Sequence, residues 1–152
     1  MIDGVEITAL KKFTDNRGWL TECFRQDELP EGVFPAMMYV SETLPGVARG
    51  PHEHVTQSDI FIFLGPGAFK VYLWDARKDS STFGQKETFL AGADNPTRVI
   101  VPPGVVHAYK CVSQTPGLVL NAPDKLYAGW GKKEKVDEIR HEEEADSLYK
   151  LD

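Results

Sequence analysis

From Val5 to Val119 the chain alternates short runs rich in Val, Ile, Phe, Tyr and Thr with clusters of turn-forming residues. No stretch carries its apolar residues at helical spacing, so the pattern is all-β. It predicts strands over Val5–Leu10, Trp19–Arg25, Ala36–Thr43, Val47–His52, Asp59–Leu64, Ala68–Asp75, Phe83–Leu90, Arg98–Val101, Val105–Cys111 and Leu118–Asn121. Asn16-Arg17-Gly18, Pro45-Gly46, Gly65-Pro66-Gly67, Ala93-Asp94-Asn95-Pro96 and Pro102-Pro103-Gly104 supply turns, because Pro presets φ while Gly and Asn tolerate tight bends. Strands spaced this evenly predict a sandwich, jelly roll or barrel.

The pattern breaks after Gly131, where Lys132 to Glu144 is almost entirely charged. Residues 132–152 are expected to be a charged tail or short helix attached to a domain spanning 1–131, with His141 exposed to solvent. A chain of 152 residues suits one core. A net charge of -6 offers no basic field for phosphate backbones, so no nucleic-acid partner is expected. The N-terminus lacks signal-peptide features and no run reaches membrane-spanning length, which leads to the expectation of a cytoplasmic protein without a membrane partner. Cys23 and Cys111 sit in apolar runs and are expected to be free thiols.

Three of the four histidines fall in two compact patterns, Arg49-Gly50-Pro51-His52-Glu53-His54 and Pro102-Pro103-Gly104-Val105-Val106-His107. Residues two apart on a strand share a face, so His52 and His54 project together. Imidazoles side by side repel once protonated, and an inward pair therefore calls for an acidic partner or a metal ion. Asp59 can supply the carboxylate and His107 a third imidazole. Together, His52, His54, Asp59 and His107 would suit one divalent transition metal.

The order Gly-x-His-x-His, a carboxylate, a Gly turn and Pro-x-Gly-x-x-His resembles the paired motifs of cupins, whose double-stranded β-helix is a jelly-roll barrel. Asp15-Asn16-Arg17-Gly18 with Glu22, Arg49-Gly50-Pro51-His52, and Trp74 through Gly84 are similar to dTDP-4-dehydrorhamnose 3,5-epimerases. That resemblance implies a metal-free enzyme of deoxysugar biosynthesis, of the dTDP-rhamnose type, that removes a proton next to a 4-keto group. By resemblance His52 is the base, His107 a second active-site histidine, and Arg17, Glu22, Arg49 and Gln57 bind a nucleotide sugar. It also implies a homodimer that exchanges N-terminal strands.

Three positions depart from the family pattern. Direct spacing puts Leu120 where the family has an acid tyrosine, leaving Tyr109 or Tyr127 to reach the site from elsewhere. Ser58-Asp59 stands where the family has a lysine, and the tail lacks the Trp-Asn-Asp segment that supports the base. Arg-Gly-x-His-x-His is also similar to sugar-nucleotide 3,4-ketoisomerases. A metal-binding cupin, either isomerase or dioxygenase, is the alternative, and a non-catalytic sugar-nucleotide-binding protein the third.

Overall fold

A computed structural model describes all residues, 1–152. Twelve strands follow in chain order: β1 Glu6–Ala9, β2 Phe13–Asp15, β3 Gly18–Leu20, β4 Tyr39–Thr43, β5 Ala48–Glu53, β6 Asp59–Phe63, β7 Ala68–Asp75, β8 Lys86–Gly92, β9 Thr97–Val101, β10 Val105–Cys111, β11 Gly117–Asn121 and β12 Ile139–Arg140. One sheet has the order β1-β9-β6-β11-β4, the facing sheet β12-β5-β10-β7-β8, and β2 with β3 forms a separate hairpin. Every pairing is antiparallel. No helix is long and apolar enough to cross a membrane.

Side-chain alternation builds the interior. Phe61, Phe63, Phe69, Val71, Leu73, Val99, Val101, Val105, Tyr109, Cys111 and Val119 form the main core between the sheets. Their sequence neighbours face outward into two smaller clusters. Ile60, Ile62 and Ile100 are covered by Leu10, Phe24, Leu29 and Val33, with Leu120 packed beside them. Tyr72, Trp74, Val106 and Ala108 on the other sheet are covered by Tyr149 and Leu151. Both cysteines are free, Cys111 buried and Cys23 half-buried.

The 132–152 segment departs from the expected solvated helix or tail. Its only helical pieces are single 3-10 turns, and it straps across the β5 sheet. Ile139 and Arg140 pair with Glu53 and His52. The Asp137 carboxylate accepts hydrogen bonds from the backbone N–H groups of Val55, Thr56 and Gln57, and Asp152 bonds Lys70 and Tyr72. His141 is also not solvated as expected: it bonds Glu53 at 2.8 Å and packs its ring on Tyr149. Local pattern missed this because the strap's apolar anchors, Tyr149 and Leu151, lie beyond the charged run and bury against distant residues.

At the barrel's opposite edge, the buried Asp75 carboxylate accepts from Arg77 Nε at 2.8 Å and from the Ser80 and Thr82 hydroxyls at 2.6 Å each. The motif around Asp75 therefore closes the β7–β8 turn.

Candidate active site

One end of the barrel gathers polar and titratable residues at inward positions. Asp59 opens β6, His107 lies on β10 and Asn121 ends β11; Tyr39 and Ser41 join them from β4, Arg49 and His52 from β5, and His54 and Gln57 from the loop after it. All but Asn121, which bonds Asp59 from behind, line a cavity of about 410 Å³, within the usual range for small-molecule sites. Residues 125–129 and 134–138 form much of the rest of its wall.

Backbone geometry sets His52 against His107. The two are cross-strand partners, with ring centroids 6.3 Å apart, and the register slips between His107 and Tyr109 as Arg49 pairs with the latter. That bulge falls at Gly50, whose φ is +83° and where a Cβ would lie 2.6 Å from the His107 carbonyl oxygen. Only glycine fits this close approach, so the Arg-Gly-x-His pattern has a steric cause.

His54, Asp59 and His107 converge, with His54 Nε2 at 3.1 Å and His107 Nε2 at 3.3 Å from Asp59 Oδ2. The Nδ1 of His54 faces the Asp137 carbonyl and the Nδ1 of His107 the Val105 carbonyl. Carbonyls only accept, so both Nδ1 atoms carry hydrogen and both Nε2 atoms turn towards the carboxylate. Burial disfavours charge on His54, but the Asp59 hydrogen bond and charge outweigh it and raise its pKa to about 9. His107 is more deeply buried and stays neutral, its pKa pushed down to about 4 by burial, with the neighbouring histidines adding to the shift. Burial also works against ionised Asp59, yet bonding to His54 and the charges that both histidines carry at acid pH hold its pKa low. Gln57 and Asn121 each donate to Asp59 Oδ1 at 2.9 Å.

His52 stands outside this trio. Its Nε2 lies 2.6 Å from Glu142 Oε1, and Glu138, itself held by Arg140, lies 3.6 Å from Nδ1. Donation of the Nε2 hydrogen to Glu142 leaves the lone pair on Nδ1, on the side of Glu138, to take a proton. A carboxylate partner for the histidine therefore exists where the sequence offered none, carried by the strap.

The structure gathers His52, His54, Gln57, Asp59, His107 and Arg49 at one cavity. It leaves Arg17 and Glu22 elsewhere: Arg17 pairs with Asp15 at the tip of the β2–β3 hairpin, and Glu22 makes an exposed contact with Arg25. Tyr109 lines the cavity with its hydroxyl 3.1 Å from Ser41 Oγ, and Tyr127 lies at the mouth. Sequence reasoning missed Tyr39, Asn121, Glu138 and Glu142. The period-2 pattern put Tyr39 and Asn121 inside predicted strands, while nothing local marked the glutamates among their charged neighbours.

The sequence model of dTDP-4-dehydrorhamnose 3,5-epimerases matches residues 1–136. The spore coat polysaccharide biosynthesis protein SpsL of Bacillus subtilis is 38% identical over 116 residues, 76% of either chain. The probable low-salt glycan biosynthesis epimerase Agl13 of Haloferax volcanii is 37% identical over 127 residues, 83% of this chain and 81% of that protein. Among solved structures, a dTDP sugar isomerase from Desulfovibrio desulfuricans G20 superposes with a TM-score of 0.84 at 23% identity, covering 98% of this chain and 91% of its own. The dTDP-4-dehydrorhamnose 3,5-epimerase of Bacillus anthracis, solved with TDP and PPi bound, gives 0.72 at 25% identity over 82% and 74%. The jelly-roll barrel with its polar mouth is thus the cupin fold of these enzymes, and the chain belongs to the dTDP-4-dehydrorhamnose 3,5-epimerase family of sugar epimerases.

Proposed function

We propose that the protein inverts a carbon next to the ketone of a dTDP-4-keto-6-deoxyhexose, with His52 as the base. The observation that carries this reading is His52 on the cavity wall, bonded through Nε2 to Glu142. A ketone acidifies the adjacent C–H, and a neutral imidazole with one fixed N–H partner can take that proton on its other nitrogen. Glu142 is a positioning residue: it holds the tautomer and compensates the imidazolium as it forms. Arg49, tied to Thr43 Oγ1 and the Glu42 carbonyl, places a fixed cation on the cavity wall for the developing oxyanion or the diphosphate. His54, Asp59 and His107 form the polar floor, and the His54 cation offsets the Asp59 anion that would otherwise oppose an enolate.

The reading needs no metal or other cofactor. Incubation with dTDP-4-keto-6-deoxyglucose, followed by borohydride reduction and sugar analysis, should yield epimerised product from the wild type. His52→Asn should lower its formation by 10²-fold or more, the scale of general base catalysis. Unchanged substrate with the wild type overturns the reading.

We also propose a homodimer in the cytoplasm. Phe13, Trp19 and Leu20 are about half exposed or more on the β2–β3 hairpin, and a second copy seated there would bring Arg17 and Glu22 to its partner's cavity. Light scattering should give twice the chain mass at micromolar concentration, whereas a monomer contradicts it.

One observation favours a metal-dependent second reading. Asp59 Oδ2 is buried between two imidazole Nε2 atoms, and that of His107, neutral with its hydrogen on Nδ1, brings only a lone pair against the carboxylate at 3.3 Å. His54, Asp59 and His107 would hold a divalent ion, which would act as a Lewis acid on a carbonyl oxygen. His52 lies outside that donor set and would remain the base. Elemental analysis after metal-supplemented purification decides: near one equivalent, lost in His54→Ala, supports this reading, and under a tenth of an equivalent removes it.

A further inference from the structure

We infer that Tyr39 is the acid that returns the proton on the face opposite His52, an inference that rests on the epimerase reading. Inversion requires a donor across the substrate from the base. On β11 the inward positions are Gly117, Val119 and Asn121, so Leu120 packs outward beside Ile60, Ile62 and Ile100. The strand carries no acid, but its inward Asn121 pairs in register with Tyr39 of β4.

Hydrogen bonding fixes the role of the phenol. Asn121 Nδ2 lies 2.9 Å from Asp59 Oδ1 and 3.0 Å from the Tyr39 hydroxyl. Asp59 Oδ1 also accepts from Gln57 Nε2, so the amide group facing it must be the NH2 and not the carbonyl. The same NH2 then donates its second hydrogen to the Tyr39 oxygen. Tyr39 uses a lone pair in that bond, and its own O–H is left to donate into the cavity that the ring lines. Burial of the hydroxyl end raises its pKa to about 12, despite the lowering by Asn121, which keeps the proton in place at neutral pH. Tyr109 is differently placed, its hydroxyl already engaged with Ser41.

The two groups stand on facing sheets, Tyr39 on β4 and His52 on β5. A sugar ring between them meets base on one face and phenol on the other. His52 takes the C–H proton and the electron pair enters the enolate. The enolate carbon then takes the Tyr39 proton, re-forming the ketone with inverted configuration and leaving a phenolate. Transfer of the imidazolium proton to the phenolate through solvent resets both residues.

The test uses Tyr39→Phe and Tyr109→Phe with dTDP-4-keto-6-deoxyglucose in deuterated water, read by NMR for deuterium and configuration, with matched thermal melts as folding controls. Tyr39→Phe should keep incorporating deuterium with retained configuration while epimer formation falls by 10²-fold or more; Tyr109→Phe should still invert. Inversion by Tyr39→Phe within threefold of the wild type, or its loss in Tyr109→Phe alone, overturns the assignment. A wild type that incorporates no deuterium overturns the epimerase reading itself, and the assignment falls with it.

Discussion

Raising the pH should strip stability from this barrel through His54. The folded chain holds the His54 proton until about pH 9, against 6.5 for an unperturbed histidine. Between those values the folded state binds more protons than the unfolded state, so stability falls as pH rises. The contribution is fully present below 6.5 and gone above 9. At about 1.4 kcal/mol per tenfold change in proton affinity, the step from 6.5 to about 9 is worth about 3 kcal/mol. His107 works on the other side: its folded pKa of about 4 makes stability fall as pH drops from 6.5 through 4. Maximum stability from this pair therefore lies near pH 6.5.

Urea unfolding at pH 6.5 and 9.5, with EDTA present, measures the alkaline limb. The wild type should lose about 3 kcal/mol across it. Asp59→Asn removes the larger bond and charge that raise His54, leaving burial to lower it against the smaller pull of Asp137, so the variant should lose under about 1 kcal/mol. A flat wild-type profile, or an equal loss in the variant, refutes the electrostatic account of the cavity floor.

Other outcomes follow from single contacts. Glu142→Gln should lower kcat by about 10²-fold with KM within threefold, and Glu142→Asp should recover part of it; steady-state kinetics shows whether the strap positions His52. Gly50→Ala places a Cβ 2.6 Å from the His107 oxygen at φ +83° and should cost about 2–4 kcal/mol in urea titration. Gly46→Ala, with φ +76° but open space around the Cβ, should cost only about 1 kcal/mol. Asp75→Asn leaves Arg77 without its buried counter-charge and should destabilise by about 3 kcal/mol, read as a lowered Tm with the wild-type cavity chemistry intact.

The barrel was legible because its strands alternate faces and its turns carry Pro or Gly. Val105–Cys111 and Ala68–Asp75 come out with the predicted ends, since each carries its apolar side chains on into the turn residues that close it. Strands β2 and β12 were not legible. The first has three exposed residues, and the second exists only because the strap meets β5. The histidines were readable from spacing, because a glycine bulge and a Pro-Gly turn fix where they point. The acid was not, because counting along the chain to Leu120 misses a parity that the structure decides. One residue's slip flips a side chain to the other face, and Asn121 with its partner Tyr39 takes the inward place. Glu142 was hidden for another reason. It lies beyond residue 136, where the family match ends, and its neighbours in sequence are equally charged.

The central claim is that His52 removes the proton beside the sugar ketone. Mass spectrometry of dTDP-4-keto-6-deoxyglucose after incubation in deuterated water tests it most directly. Wild type should add deuterium at a carbon adjacent to the ketone, and His52→Asn should slow that incorporation by 10²-fold or more while still folding. Incorporation at the wild-type rate in His52→Asn, or none in the wild type, contradicts the account.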